Sequence, residues 1–370
     1  MKPSSGEMEA SWSKKLEPTD IALDLTYRCN RSCGFCFLDC TDLKSYKRKE
    51  LTAGEINIFV DSLGALKRQF FIAGGEPLLR RDFLKIISHI KKRSHRCLIT
   101  TNGTLLDEKT CLALLKMKVD EIVISIHGDR DTHDRVVGRK GSFELLEKAA
   151  GFINASKYKT ATLLTFWCTI NGLNHKRLLN TYVALKKLGP DNVAFNHLDY
   201  ITPADRAATA GIFSRELSCP LLPRSSSAKT RFIDTKKLAA QISKVKAADA
   251  DEQGGVKFSP DLHARQLSAW YDGKVFFKKP GVCRAQWNQL WVSPWGDVLS
   301  CVPLMHTLGN IRQRPWREIY NGAEFSAFRE ALLKAGGLFP ICSRCGRESY
   351  YKANIDIAQD KLSGLPRPRF

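Results

Sequence analysis

The chain has 370 residues, with 58 Lys and Arg against 38 Asp and Glu for a formal charge of +20, and 43% apolar and 26% charged side chains. At roughly 150 residues per domain this gives one large globular domain and a smaller one, and it excludes disordered, collagenous and coiled-coil chains. Twelve cysteines are too sparse for a small disulfide scaffold and too clustered for scattered buried thiols, so metal or redox chemistry comes first. No stretch approaches the ~18 apolar residues of a membrane span, and no signal-type apolar segment opens the chain. The expected location is cytoplasmic, where reduced thiols hold metal rather than cross-link.

After an N-terminal extension (1–20), short β-branched runs alternate with segments of helical period, the mark of a parallel sheet with crossover helices. Strands are predicted at 21–26, 69–73, 96–101, 121–126, 161–170 and 192–196, with five helices between them. The first helix opens on a capping box, Thr52-Ala53-Gly54-Glu55, and its Ile56, Phe59, Val60 and Leu63 fall on one face. Asp82, Asp107, Ser142 and Asn174 or His175 open the others. Right-handed crossovers then require a full or partial barrel or an open doubly wound sheet over 21–202. Residues 203–259 read as a connector with one amphipathic helix near 238–245. Residues 260–350 read as a separate Cys-rich α+β domain, with a hairpin of 289–293 and 298–302 about Pro294-Trp295-Gly296. Residues 351–370 lack periodicity and read as a tail.

Directly after the first strand comes Cys29-Asn-Arg-Ser-Cys33-Gly-Phe-Cys36, a C-x3-C-x2-C triplet. Structural zinc closes at four ligands, whereas a four-iron cube held by three Cys keeps one iron open. After the second strand comes Gly74-Gly75-Glu76-Pro77, where glycines allow close backbone approach to a ligand and the Glu and carbonyls suit an ammonium group. Together these resemble the signature of the radical S-adenosylmethionine (SAM) enzymes. The resemblance implies a partial (β/α)6 TIM-like barrel, a SAM-binding 4Fe-4S cluster on Cys29, Cys33 and Cys36, and a GGEP segment that holds the SAM amino group. It also implies an adenine packed on Phe35, and polar contacts to SAM from Asn102, Ser125 and Asn171. His127 is either a cofactor contact or a lumen residue. His133-Asp134 resembles the family's HDxxRG stretch, without its Arg before Gly138.

Cys283, Gly296 with Cys301 after four intervening residues, and the pair Cys342 and Cys345 form a second set. It resembles the front half of the SPASM domain in its shortened form, Twitch, and implies an auxiliary 4Fe-4S cluster on four thiolates. A zinc ribbon is the rival for this set. Cys97, Cys111, Cys168 and Cys219 read as free thiols, and Cys40 is assigned nothing.

The resemblance implies an oxidoreductase that cleaves SAM to a 5′-deoxyadenosyl radical and takes hydrogen from substrate carbon. With the auxiliary cluster it would dehydrogenate or cross-link a small molecule or peptide, fed by a flavodoxin- or ferredoxin-like electron donor. A small molecule is favoured because no peptide-recognition domain of ~80 residues precedes residue 21. Ligands gather at the carboxyl ends of parallel strands, which makes His197, Asp199 and Tyr200 the candidate substrate contacts. The +20 charge supports a nucleic-acid-binding or RNA-modifying alternative, with Lys91-Lys92-Arg93 and Lys186-Lys187 as its densest groups. A zinc-binding structural protein is the third reading.

Overall fold

The computed structural model describes residues 16–36, 38, 48–221, 232–250, 255–272 and 282–346. Cys40, most of the N-terminal extension and the 351–370 tail lie outside these residues.

The strands β1 (Asp20–Thr26), β2 (Gln69–Gly74), β3 (Arg96–Thr101), β4 (Glu121–Ser125), β5 (Leu163–Ile170) and β6 (Asn192–His197) pair in parallel in chain order. Each alternates its faces. Ile21, Leu23 and Leu25 of β1 join Phe70, Ile72, Ile99, Ile122, Phe166 and Phe195 in the core under the helices. Ala22 and Asp24 point to the barrel interior, where Ala22 stands opposite Phe71 on one side and Trp291 on the other.

Crossover helices cover the outer face. Helix α1 (Ala53–Ser62) begins on the capping box: Thr52 Oγ1 accepts from Glu55 N at 3.2 Å, and Thr52 N donates to Glu55 Oε2 at 2.8 Å. Its Ile56, Phe59 and Val60 are buried, as is Leu63 just beyond. Asp82 precedes α2 (Phe83–Lys92) but does not cap it, because its carboxylate pairs with Arg80 at 2.7 Å. Asp107 caps α3 (Glu108–Lys116) through Thr110 N at 2.7 Å.

Between β4 and β5 there are two helices where one was expected. Asp129 caps α4 (Arg130–Val137), and Gly138 closes it in the left-handed region at φ 70°. Asp134 then accepts from Phe143 N at 2.9 Å and so starts α5 (Ser142–Ala155). The helix expected at Asn174 or His175 begins later, as α6 (Leu178–Lys186), because Asn171 and Asn174 spend their carboxamides on a turn. Such local side-chain bonds compete with helix formation.

Residues 203–259 hold more than a connector. Thr202 and Asp205 form a second capping box, with Pro203 at the first turn, to open α7 (Pro203–Leu217). The amphipathic helix is α8 (Thr235–Ala250), burying Leu238, Ile242 and Val245. It leads to β7 (Val256–Ser259), which pairs in parallel with β6. Helix α9 (Ala264–Asp272) follows.

The expected hairpin is present as β8 (Gln289–Val292) and β9 (Asp297–Leu299), extended by β10 (Thr307–Asn310). It is not a separate sheet: β8 pairs in parallel with β1, giving one ten-stranded sheet of order β10-β9-β8-β1-β2-β3-β4-β5-β6-β7. Among the described strands β10 and β7 are the edges, so the barrel is unclosed. A short α10 (Ala285–Asn288) precedes β8. After β10, α11 (Trp316–Tyr320) and α12 (Ala323–Lys334) lead to a 3-10 turn at Pro340–Cys342.

Candidate functional site

The first thiol set lies in the loop leaving β1. Cys29, Cys33 and Cys36 are half-buried, and Cys36 N donates to Cys33 O at 3.0 Å. Burial, then the charges of Cys36 and Cys29, push the Cys33 thiol up to about 12, against the pull of Arg31. Three thiols that disfavour one another's ionisation suit a site where bound iron compensates their charge. The residues therefore fit a cluster held by three cysteines.

The glycines of the next loop act on that loop directly. Gly74 sits at φ 115°, and a Cβ there would lie 2.3 Å from Thr26 O; at Gly75 it would lie 2.2 Å from Arg28 O. Gly75 N donates to Thr26 O at 2.7 Å and Glu76 N to Arg28 O at 2.9 Å. The pair lets two strand exits touch backbone to backbone, which is a different use from the expected approach to a ligand. Glu76 is likewise a bracket rather than an open acceptor. It is fully buried, which raises its pKa, and it accepts from Thr101 Oγ1 and Asn102 N, each at 2.7 Å, and from Leu78 N at 3.1 Å. Gly75→Ala should destabilise the protein by about 1–3 kcal/mol through overpacking. It should also lower retention of iron by the three cysteines, read by urea unfolding and iron analysis; an unchanged midpoint and iron content would contradict this account.

Asn102 is knit to the cysteine loop. Its Nδ2 donates to Asn30 Oδ1 at 2.8 Å and lies 3.9 Å from Cys29 Sγ, while its Oδ1 accepts from Thr104 N at 3.1 Å. Phe35 meets the His127 ring edge-on at 4.8 Å. His127 Nδ1 accepts from Thr169 N at 3.2 Å, which leaves the ring proton on Nε2, and His127 N donates to His133 Nδ1 at 3.0 Å. Ser125 stands on the inner face opposite Trp167. Asn171 differs from its expected role. It is fully buried, and its carboxamide donates to Thr169 O at 3.0 Å and accepts from Leu173 N at 2.9 Å, so it builds the turn.

Burial holds His127 down at about 3, His133 at about 4 and His197 at about 3. A depressed folded-state pKa means that the unfolded chain binds the proton first, so stability is complete above about 6.5 and falls as pH drops below it. At pH 5.5 each histidine should cost about 1.4 kcal/mol, on the order of 4 kcal/mol for the three. The urea midpoint should therefore fall between pH 7.5 and 5.5, and replacing His197 by Asn should lessen the slope. A flat profile would contradict it.

The expected substrate contacts are corrected by strand parity. His197 opposes Ile170 on the outer, core-facing side, whereas Asn196 is on the inner face. His197 is buried with Nδ1 2.8 Å from Tyr271 Oη. Tyr200 is buried too, its hydroxyl donating to the Trp270 carbonyl. Asp199 accepts from Gly346 N at 2.7 Å. The segment holds the Cys-rich region in place instead of lining the interior.

The second thiol set gathers beside the ends of β6 and β7, where Gly346 meets Asp199 and Ser259. Cys283, Cys301, Cys342 and Cys345 are half-buried. Burial, then the charges of Cys301, Cys283 and Cys345, push the Cys342 thiol well above its ordinary value. Four mutually disfavoured thiols again fit a cluster that neutralises them. Arg344 anchors their knuckle: Nε donates to Trp270 O at 2.6 Å and Nη1 to Asp205 Oδ2 at 2.9 Å. The sequence reading missed this residue, although its place between the two cysteines of a C-x2-C was a usable signal. Cys97, Cys111 and Cys168 are buried in the core and Cys219 is half-buried against it.

Three thiols at the mouth of an unclosed parallel barrel, with four more beside the ends of β6 and β7, define an enzyme built around two iron–sulfur sites. The chain matches the Radical SAM superfamily model over residues 23–185 and SPASM, an iron-sulfur cluster-binding domain, over residues 283–346. Its cofactors are accordingly SAM, a 4Fe-4S cluster and auxiliary iron–sulfur.

The AdoMet-dependent heme synthase of Methanosarcina barkeri (strain Fusaro) is 28% identical, over 95% of this chain and 97% of that one. The PqqA peptide cyclase of Methylocella silvestris is 26% identical, over 85% of this chain and 78% of that one. Streptococcus suis SuiB bound to its precursor peptide SuiA shares the fold, with a TM-score of 0.64 at 15% identity over 92% of this chain and 73% of that one. No helix among the described residues is long and apolar enough to cross a membrane.

Proposed function

We propose that the chain is an oxidoreductase that reductively cleaves SAM and removes a hydrogen atom from a carbon of a small molecule held in the barrel interior. The observation that carries this reading is the contact of the cysteine loop with the Gly74-Gly75 turn, which sets three thiols beside the segment expected to receive SAM. When bound, the reduced cluster and SAM supply a 5′-deoxyadenosyl radical that takes the hydrogen. Cys29, Cys33 and Cys36 hold the iron. Phe35, packed on His127, offers an aromatic face for the adenine, and His127 presents an Nε2–H donor beside it. Asn102 and Ser125 face the same mouth, and the carbonyls of Gly74 and Gly75 are the acceptors left for the amino group once Glu76 is committed to Thr101 and Asn102. Cys283, Cys301, Cys342 and Cys345 hold the auxiliary cluster. With four thiolates its iron is fully ligated, which suits accepting an electron from the substrate and so oxidising it.

The heme synthase supports a small-molecule substrate, since the match runs almost the full length of both chains. A peptide substrate is the second reading, favoured by the peptide cyclase. Anaerobic reconstitution should give about eight irons per chain. Reduction should then yield 5′-deoxyadenosine, and a deuterated substrate should place deuterium in it. A reconstituted, reduced enzyme that leaves SAM intact overturns the proposal.

A further inference from the structure

Arg31 stands in the cysteine loop between Cys29 and Cys33 and is only 7% exposed. Among the described residues its guanidinium makes one hydrogen bond, from Nη1 to Asn30 O at 2.8 Å, and no ion pair. Most of its fork of N–H donors is therefore uncommitted. Glu76 lies within electrostatic reach, but its carboxylate already accepts from Thr101, Asn102 and Leu78. A buried charge that lacks a counter-ion is costly, so a guanidinium in this state marks a place for an anion.

The neighbours of Arg31 fix where that anion would sit. Cys29 and Cys33 lie within its electrostatic reach, and so do His133 of α4 and Arg139 just beyond that helix. Along the chain those last two bracket Val137, which is buried at the position where the HDxxRG-like stretch lacks its arginine. A buried cation is thus supplied to this spot by the cysteine loop. Earlier in the same loop the Arg28 carbonyl accepts from Glu76 N at 2.9 Å, and a Cβ on Gly75 would lie 2.2 Å from it, so the glycine turn runs alongside.

We propose that Arg31 receives the carboxylate of SAM, its free guanidinium edge taking the two oxygens while the Gly74-Gly75 turn receives the amino group. The inference rests on the function proposed above, whose contacts leave the single anionic group of SAM without a protein partner. The amino and carboxylate groups share one carbon, so a receptor for the second must adjoin the glycine turn. Arg31, within reach of Glu76 on that turn, meets the condition. The planar fork of arginine matches a carboxylate in two parallel bonds. Sulfur in the cluster and its thiolates is a weaker acceptor and offers no such planar pair.

The test uses the anaerobically reconstituted, unreduced holoenzyme and measures dissociation constants by equilibrium dialysis for two labelled probes, SAM and its decarboxylated analogue. Arg31→Gln should weaken SAM about tenfold or more and leave the analogue unchanged. Arg31→Lys keeps the charge beside the thiols and loses the fork, so it should weaken SAM about threefold. It carries the same comparison where the Gln variant loads less iron. Unchanged SAM affinity in both variants overturns the inference. So does an equal loss for SAM and the analogue, which would make Arg31 a partner of the cluster and not of the carboxylate. A wild type that binds neither probe overturns the proposed function instead.

Discussion

Cys33→Ala should leave a folded protein that retains about four of about eight irons and forms 5′-deoxyadenosine at less than about one-hundredth of the wild-type rate. The expectation follows from the central place of Cys33 among three thiols on one loop, where burial and the charges of Cys36 and Cys29 push its thiol up. Two remaining thiolates cannot hold a cube with a single open corner. The β1 and β2 exits are tied by backbone bonds that do not involve the thiol, so the fold should persist. Iron analysis and product assay on protein of wild-type unfolding midpoint are the measurements, and a Cys33→Ala protein that still cleaves SAM would falsify the cluster assignment.

Arg344→Met should act on the other iron site. The Arg344–Asp205 pair is buried, with side-chain exposures of 1% and 6%. Removing one partner of such a pair strands the other charge and costs about 3–5 kcal/mol. The loss also takes away one of the two donors to the Trp270 carbonyl, Tyr200 being the other, and loosens the Cys342–Cys345 knuckle from α7 and α9. Iron should fall towards the four held by Cys29, Cys33 and Cys36, with SAM cleavage retained and substrate oxidation reduced. Arg344→Lys should not restore it, because a single ammonium cannot reach both acceptors as the guanidinium fork does. Full iron loading in Arg344→Met would show that the knuckle is held by something else.

Six barrel strands were legible in the sequence because they alternate with helices whose caps are explicit, as at Thr52 and Asp107. The two thiol sets were legible because their spacing is unusual. What could not be read was parity near strand ends. His197 follows Asn196 by one residue, and that single step separates the barrel interior from the core. Helix α7 was hidden by its composition: PADRAATAGIFSREL buries Asp205, Thr209 and Phe213, so its inward face is partly polar and shows no apolar stripe. Asp205 is tolerated there because its carboxylate accepts from Thr202 N in the capping box and from Arg344, more than a hundred residues later. The joining of β8 to β1 was equally invisible, because no local signal says which edge a distant hairpin will choose.

That joining has a consequence for the two cysteine loops. Cys29 leaves the carboxyl end of β1, whereas Cys301 follows β9, which runs antiparallel to β8 and so against β1. Val302, the next residue, packs with Tyr27, Leu38 and Trp295, and Tyr27 and Leu38 flank the first triplet. A small apolar cluster therefore fastens the two cysteine-bearing segments to each other, so a substitution that loosens Val302 should be felt at both.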